Sequence, residues 1–272
     1  MKTRSERLQD EEAEQRQSPT GRVVYRAIYR EGMEELSRDA ASLGWSAIAA
    51  GLAMGFSLVM EALLRSHLPD TPWRPLIAKL GYGVGFLIIV LGRQQLFTEN
   101  TLTVILPLLR IWRPGVLQNV LRLWAVVFIG NIAGAALFAI AIGWLPVLEP
   151  TVKDAASAIA AEALAPGPMK IALRGIFAGW LIALMVWLLP FAESARIWVI
   201  IIITYLVGVA GFSHVIAGSV EVFALASMKL TSWSTAFLAF TLPALIGNTI
   251  GGVTFVAALS HAQFVEGEDV LL

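Results

Sequence analysis

The sequence contains no cysteine, and it has only three histidines among 272 residues. Without thiols the chain has no disulfide, no thiolate metal ligand and no cysteine nucleophile. The three histidines, His67, His214 and His261, are widely separated, and no nucleophile–base set accompanies them. These absences disfavour an enzyme, and nothing in the sequence indicates a metal site or a cofactor.

Charge is scarce as well. Only 15% of the residues are charged, whereas 57% are hydrophobic. A soluble domain usually carries about 25% charged residues and a smaller apolar share. The 20 basic and 20 acidic residues balance, so net charge gives no argument for a nucleic-acid partner. Several apolar runs reach the roughly 20 residues that cross a bilayer as a helix. The sequence therefore predicts an all-α integral membrane protein in a lipid bilayer.

Two of the apolar spans are interrupted by polar and small residues, at 94–100 and at 211–219. Irregular backbone at membrane depth persists only where it is buried in protein or lines a wet cavity. Paired breaks in two halves of a chain point to a permeation or binding site. We therefore predict six transmembrane helices with helices 2 and 5 broken. The expected ranges are 43–64, 76–95 with 101–111, 119–142, 171–190, 197–212 with 219–228, and 234–259.

An internal repeat relates the two halves. The hexapeptide Ile129–Gly134 (IGNIAG) resembles Ile246–Gly251 (IGNTIG), and the same offset pairs Phe97 with His214. Three spans repeated once must enter the membrane from the opposite face the second time. The halves 43–142 and 171–259 are therefore predicted to form an inverted repeat.

The ends of the chain are polar. Residues 1–38 read as a charged cytoplasmic tail that closes with an amphipathic helix, whose apolar residues are Val24, Ile28, Met33 and Leu36. The channel domain is predicted at 39–262, and an acidic tail follows at 263–272. The bias of Lys and Arg toward one side places both termini in the cytoplasm.

Four groups of residues carry a family resemblance. They are Gln95–Thr101 (QLFTENT), Trp124 with Gly130-Asn131-x-x-Gly134, Ala210–Ala217 (AGFSHVIA), and Gly247-Asn248-x-x-Gly251-Gly252. In this order they resemble the formate/nitrite transporter family, most closely its YfdC-like inner-membrane branch. The resemblance implies an aquaporin-like protomer in a homopentamer of the bacterial inner membrane. It also implies a pore for small monovalent anions in each protomer.

His214 is the predicted central residue of the pore. Its imidazole could titrate near neutral pH or donate a hydrogen bond to an anion, and the resemblance implies the same central position. Leu96 and Phe97 are predicted to form an apolar plug, because hydrophobic constrictions gate by excluding water. The resemblance adds three constriction residues, Tyr82, Phe86 and Val207.

Four polar residues are predicted to support the broken helices. Thr98 and Asn100 would hydrogen-bond the unpaired backbone of the first break. Asn131 and Asn248 would tie the two breaks to the neighbouring helices, with direct contact to the permeant as the alternative.

The sequence departs from the family at several positions. Gly218 and Gly179 stand where members that conduct formate or nitrite carry Asn. A basic vestibule residue has no clear counterpart, although Lys170 and Arg174 lie nearby and are our candidates. Arg93 stands where the family has a small residue.

A charge at membrane depth needs a partner or a cavity. We therefore predict that Arg93, Glu99 and Glu221 are buried charges. Arg93 would either form an ion pair with one of the two glutamates or attract anions at the pore wall.

Three functions remain open at this point. The first is a channel or proton-coupled transporter for small weak-acid anions. The second is a pore with an altered substrate, a neutral solute or another anion. The third is a non-conducting membrane protein that binds a partner or senses a signal through its charged N-terminal segment.

Overall fold

The computed structural model describes residues 20–265, and all regular secondary structure in this range is helical. The helices are α1 (Gly21–Ser37), α2 (Ala40–His67), α3 (Arg74–Leu91), α4 (Asn100–Thr103), α5 (Ile105–Arg110), α6 (Pro114–Trp144), α7 (Pro150–Leu164), α8 (Pro168–Leu188), α9 (Arg196–Val209), α10 (Val215–Ser227) and α11 (Trp233–Gln263). Residues 1–19 of the predicted N-terminal tail and residues 266–272 of the predicted acidic tail lie outside the described residues.

The long helices have the length and composition of membrane spans. Helices α2, α3, α6, α8 and α11 are each long and apolar enough to cross a bilayer, and α10 is a shorter apolar helix. Their starts follow common rules: Asp39 accepts a hydrogen bond from Ser42 N–H at the start of α2, and proline opens α6 and α8. The predicted all-helical fold with two broken spans is confirmed.

The breaks divide spans two and five as predicted, but the second is shorter than expected. The first break separates α3 from α4, and the second separates α9 from α10. Residues 215–219 were assigned to the second break, yet they are helical. His214 caps this helix, because its Nδ1 accepts a hydrogen bond from Ala217 N–H at 3.2 Å. Histidine is not among the common N-cap residues, so the sequence did not signal this start.

The two breaks have the same backbone geometry. At the end of α3, Gln94 N–H donates to the Ile89 carbonyl (2.9 Å), and at the end of α9, Phe212 N–H donates to the Val207 carbonyl (3.0 Å). Just before these donors, Arg93 and Gly211 have left-handed backbone, with φ of 49° and 64°. A left-handed residue after a helix is a common way to end it. The left-handed backbone at position 93 explains why a small residue such as glycine is favoured there.

This equivalence corrects the register of the repeat. The paired residues of the breaks are 118 positions apart, whereas Asn131 and Asn248 are 117 apart. The predicted pairing of Phe97 with His214 is therefore wrong by one residue. Leu96 is the counterpart of His214, because the second half has one residue fewer between its break and its Gly-Asn pair: Phe97 and Asn131 are 34 positions apart, whereas Val215 and Asn248 are 33 apart.

Glycines allow the paired helices of each half to approach closely. In the first half, a Cβ at Gly51 or Gly134 would overlap the backbone of the partner helix, so α2 and α6 need both glycines. In the second half, Gly247 and Gly251 of α11 have the same relation to α8. Small residues at such crossings are typical of membrane helix packing.

Two helices pack on the six-span body. Helix α7, which the sequence analysis did not predict, lies between the halves and packs against α2 and α10. The predicted amphipathic helix is α1, which packs against α4, α5 and α11. Its buried residues are Tyr25, Ile28, Gly32 and Leu36, and Val24 packs partly buried against the core, whereas Met33 is exposed, contrary to the prediction.

Candidate functional site

Two cavities open at opposite ends of the same helices. The first, which we call the α7-side vestibule, has a volume of about 230 Å³ and reaches Tyr82, Arg174, Gly211, His214 and Glu221. The second, the α1-side vestibule, has a volume of about 410 Å³ and is lined by residues that include Glu31, Arg93, Gln95, Glu99 and Arg196. Helices α3, α8 and α9 run from one vestibule to the other. Each of them lines the α7-side vestibule with residues near one end, and residues at or next to its opposite end line the α1-side vestibule. Each break therefore faces its own vestibule.

Between the two vestibules lies a buried apolar layer. Phe86, Leu96 and Val207 are fully buried and line neither cavity. Tyr82 is also buried but lines the α7-side vestibule, with its ring centroid 5.6 Å from that of Phe86. Phe86, Leu96 and Val207 therefore lie where a dry barrier between the two cavities would be, and Tyr82 lies at the edge of this layer on the α7 side.

Phe97, the fifth predicted constriction residue, packs against α6. Its ring centroid lies 5.7 Å from that of Trp124 and 5.5 Å from that of Phe128, both with edge-to-face geometry. Its backbone N–H donates to Asn131. These contacts favour a packing role for Phe97 and leave Leu96 as the apolar side chain of the first break.

Two asparagines hold the two breaks in the same way. Asn131 Nδ2 donates to the carbonyls of Ala47 and Gln95, and its Oδ1 accepts from Phe97 N–H. Asn248 repeats the pattern on the second break. Its Nδ2 donates to the carbonyls of Gly175 and Ser213, and its Oδ1 accepts from Val215 N–H. Both side chains use their polar atoms on backbone, which favours the predicted structural role over contact with a permeant.

The other two polar residues of the first break differ in role. Asn100 Nδ2 donates to the Leu96 carbonyl (3.3 Å) and to Gln95 Oε1 (3.0 Å), so it supports the broken backbone. Within residues 20–265, the Thr98 hydroxyl makes no hydrogen bond to unpaired backbone, contrary to our prediction. It lies 2.8 Å from His214 Nε2 and joins the two breaks across the repeat axis.

The hydrogen bonds of His214 define its tautomer. Nδ1 accepts from Ala217 N–H, so the ring proton is on Nε2, which donates to the Thr98 hydroxyl. The ring also meets Phe86 edge-to-face, with centroids 4.9 Å apart. His214 lines the α7-side vestibule although only 1% of it is exposed. The sequence left two roles open for His214, titration near neutral pH and donation of a hydrogen bond to an anion. This geometry favours the donation of a hydrogen bond.

The prediction that Arg93 is buried is wrong. Arg93 is exposed at the α1-side vestibule, and among the described residues it forms no ion pair with Glu99 or Glu221. An ion pair with Glu221 is excluded by position, since Glu221 lies in the opposite vestibule. Glu99 lines the same vestibule as Arg93, and its Oε1 is buried without a hydrogen-bond partner.

The two candidate vestibule bases have different positions. Arg174 lines the α7-side vestibule beside Gly211. Lys170 is exposed and is not among the residues that line the cavity. The cation that our prediction missed is Lys79, which lines this vestibule and forms an ion pair with the buried Glu61. Glu61, the single acidic residue of the apolar helix α2, was the available signal.

Two glycines replace the family's amides for different reasons. A Cβ at Gly218 would overlap the ring of Phe240, so this aromatic side chain fills the space of a larger residue. A Cβ at Gly179 would overlap the backbone of Asn248, because Gly179 is a contact point between α8 and α11. Gly179 lines neither vestibule, and its effect on the pore stays a prediction.

The fold and the site together define a class: a multi-pass helical membrane protein whose inverted halves enclose two vestibules and a dry barrier. A family model described as "Formate/nitrite transporter" matches residues 22–262. The chain belongs to the formate/nitrite transporter family, whose members are membrane channels or transporters and not enzymes.

Individual relatives agree with this assignment. The chain is 40% identical to "Inner membrane protein YfdC" of Escherichia coli (strain K12), over 89% of this chain and 78% of the relative. It is 27% identical to "Nitrite transporter NirC" of the same organism, over 81% of this chain and 79% of the relative.

Two solved structures share the fold. A protein titled "FNT family ion channel" has a TM-score of 0.74 and 18% identity, over 88% of this chain and 98% of its own. A "Pentameric formate channel with formate bound" has a TM-score of 0.66 and 20% identity, over 83% of this chain and 98% of its own.

Proposed function

We propose that this protein is a channel or proton-coupled transporter for small monovalent anions of weak acids, such as formate or nitrite. The observation that carries the proposal is the pair of vestibules, which approach each other from opposite ends of the same helices and are separated by a buried layer that includes Phe86, Leu96 and Val207. Relatives named as a nitrite transporter and a formate channel support the choice of permeant.

The proposed pore lies within one protomer, because both breaks belong to one chain. An anion would collect at Arg174 in the α7-side vestibule and meet His214 Nε2–H, and the layer of Phe86, Leu96 and Val207 would then penalise its charge. The pKa of a weak acid rises when its anion leaves water. The permeant could therefore cross the barrier as the neutral acid.

A flux assay tests this function. In proteoliposomes that contain the full chain, formate and nitrite should equilibrate faster than in protein-free liposomes. A neutral solute of similar size, such as urea, serves as the comparison. Faster urea flux with no anion flux would favour the altered-substrate pore, for which Phe240 in the place of a family amide is the supporting observation. Absence of all flux would favour the partner-binding or sensory protein.

We also propose that the protein forms a homopentamer in the bacterial inner membrane, with both termini in the cytoplasm. Support comes from the relative named as an inner membrane protein and from the structure named as a pentameric channel. Native mass spectrometry of the detergent-extracted protein should give a mass of about five chains. A stable monomer or trimer would contradict the proposed assembly.

A further inference from the structure

The α7-side vestibule contains a carboxyl group that the proposed mechanism does not use. Glu221 is on α10, two turns after His214, and it lines the same cavity although only 7% of it is exposed. Among the residues that the structure describes, its carboxyl group has no hydrogen-bond or ion-pair partner. A membrane-buried carboxyl group without a partner is costly, so its presence on a cavity wall needs a functional explanation.

The nearest candidate partner for Glu221 is already engaged. Lys79 acts on Glu221 electrostatically, but its Nζ forms the ion pair with Glu61, whose side chain is 3% exposed. Glu61 Oε2 has no further hydrogen-bond partner. The Lys79 charge is thus balanced by Glu61, and the three groups together carry a net charge of −1 when all are ionised.

The other charged groups around Glu221 come from several helices. Helix α3 contributes Lys79 and the Tyr82 hydroxyl, and α2 contributes Glu61. Helix α7 contributes Glu162, whose half-exposed carboxylate is bound to Arg65 of α2 at 2.7 Å.

Two further charged or titratable side chains face the cavity, Arg174 of α8 and His214 at the start of α10 itself. Among the described residues that line the cavity, α11 contributes only Phe240 and α6 none. Because Glu61 pairs with Lys79 and Arg65 pairs with Glu162, neutral His214 leaves Arg174 and Glu221 as the remaining charges on the described cavity wall, and these two cancel when Glu221 is ionised. They sum to +1 when Glu221 is protonated.

We propose that Glu221 is a proton-binding residue that sets the anion selectivity of the α7-side vestibule. Protonation of Glu221 gives the cavity wall a net positive charge and adds a hydrogen-bond donor, so anions are admitted. Loss of that proton to the cavity water restores a neutral wall with an unpaired carboxylate, which repels anions. The inference rests on the proposed anion transport and names the group that regulates it.

The test compares formate flux in proteoliposomes for the wild type and Glu221→Gln from about pH 5 to about pH 9. At each pH the variant rate is divided by the wild-type rate, which removes the effect of pH on the protonation of formate itself. We expect a ratio near one at the acidic end, because Glu221 is then protonated in the wild type. The ratio should rise to at least about tenfold at the alkaline end, where a charge on the cavity wall opposes an anion.

Glu162→Gln is the matched control, since it makes the same chemical change at the rim of the same cavity. Water screens this exposed carboxylate and Arg65 pairs with it, so its ratio should stay near one at every pH. Glu221→Asp keeps a titrating carboxyl group and should keep a pH response like that of the wild type. It also provides the comparison with the wild type if the Gln variant does not assemble.

The outcomes separate this inference from the proposed function. If the wild-type protein transports no formate, nitrite or other small anion, both the proposed function and the role of Glu221 are wrong. Wild-type flux with a Glu221→Gln ratio that does not change with pH would overturn the role of Glu221 alone. A Glu221→Asp variant that assembles but has lost the pH response would also overturn it.

Discussion

Replacement of His214 by phenylalanine is expected to reduce formate flux in proteoliposomes to the background of protein-free liposomes. His214 Nε2–H is the ring donor at the junction of the two breaks, where it now meets the Thr98 hydroxyl. Phenylalanine fills a similar volume against Phe86 but offers no donor, and an anion would then have to leave water without compensation. The measurement is the rate of formate flux on reconstituted, assembled protein.

The same substitution also removes the cap of α10, so its effect on stability must be separated from its effect on flux. Loss of an N-cap typically costs about 0.5–2 kcal/mol. His214→Asn is informative here, because asparagine is a good N-cap but does not reproduce the Nε2 donor. We expect this variant to lose less stability than His214→Phe, because it keeps the cap, and to conduct more slowly, with its pH response retained because Glu221 is unchanged.

His67→Phe is the matched control for His214→Phe. His67 is exposed at the end of α2, so the same replacement there should leave both flux and assembly unchanged. A stable, assembled His214→Phe variant that carries formate at the wild-type rate would contradict the central role of this histidine.

Much of the fold could be predicted from the sequence because the bilayer limits the possible structures. The lengths of the apolar runs predicted the six spans, and the polar residues inside two of these spans predicted the breaks. The repeated Gly-Asn pairs gave the inverted architecture. Helix α7 was missed because the segment 150–164 is short and mixed in composition, and it is positioned by contacts with α2 and α10.

The site was less predictable, because the sequence does not specify which way a side chain points. Arg93 stands next to a break in an apolar span, so burial was a reasonable expectation. The structure places its backbone in the left-handed turn and its side chain at the open vestibule. Gly179 and Gly218 were matched to the same type of family residue, yet only Gly218 lies on the wall of a vestibule.

The ion pair between helices α2 and α3 also could not be predicted from the sequence. The sequence analysis singled out neither Lys79 nor Glu61. They meet because a 3₁₀ turn at Lys79–Tyr82 brings the start of α3 against α2. No local pattern encodes a contact between two helices that cross at this point.

Asn131→Ala is expected to cause a large loss of stability without removing any residue from a vestibule wall. The substitution leaves the Gln95 carbonyl and the Phe97 N–H without their partner. A buried polar group left unsatisfied costs about 1–3 kcal/mol, so two such groups predict a loss of about 2–6 kcal/mol. The melting temperature of the detergent-extracted protein should fall accordingly.

Asn119→Ala on the same helix is the matched control, because Asn119 is exposed and its removal should change stability by less than about 0.5 kcal/mol. Asn248→Ala should lower stability as much as Asn131→Ala, since it frees the equivalent backbone groups of Ser213 and Val215. These two residues flank His214, so surviving Asn248→Ala protein should also lose flux. If both variants melt like Asn119→Ala, then other contacts hold the breaks in place, and the two asparagines do not support the pore.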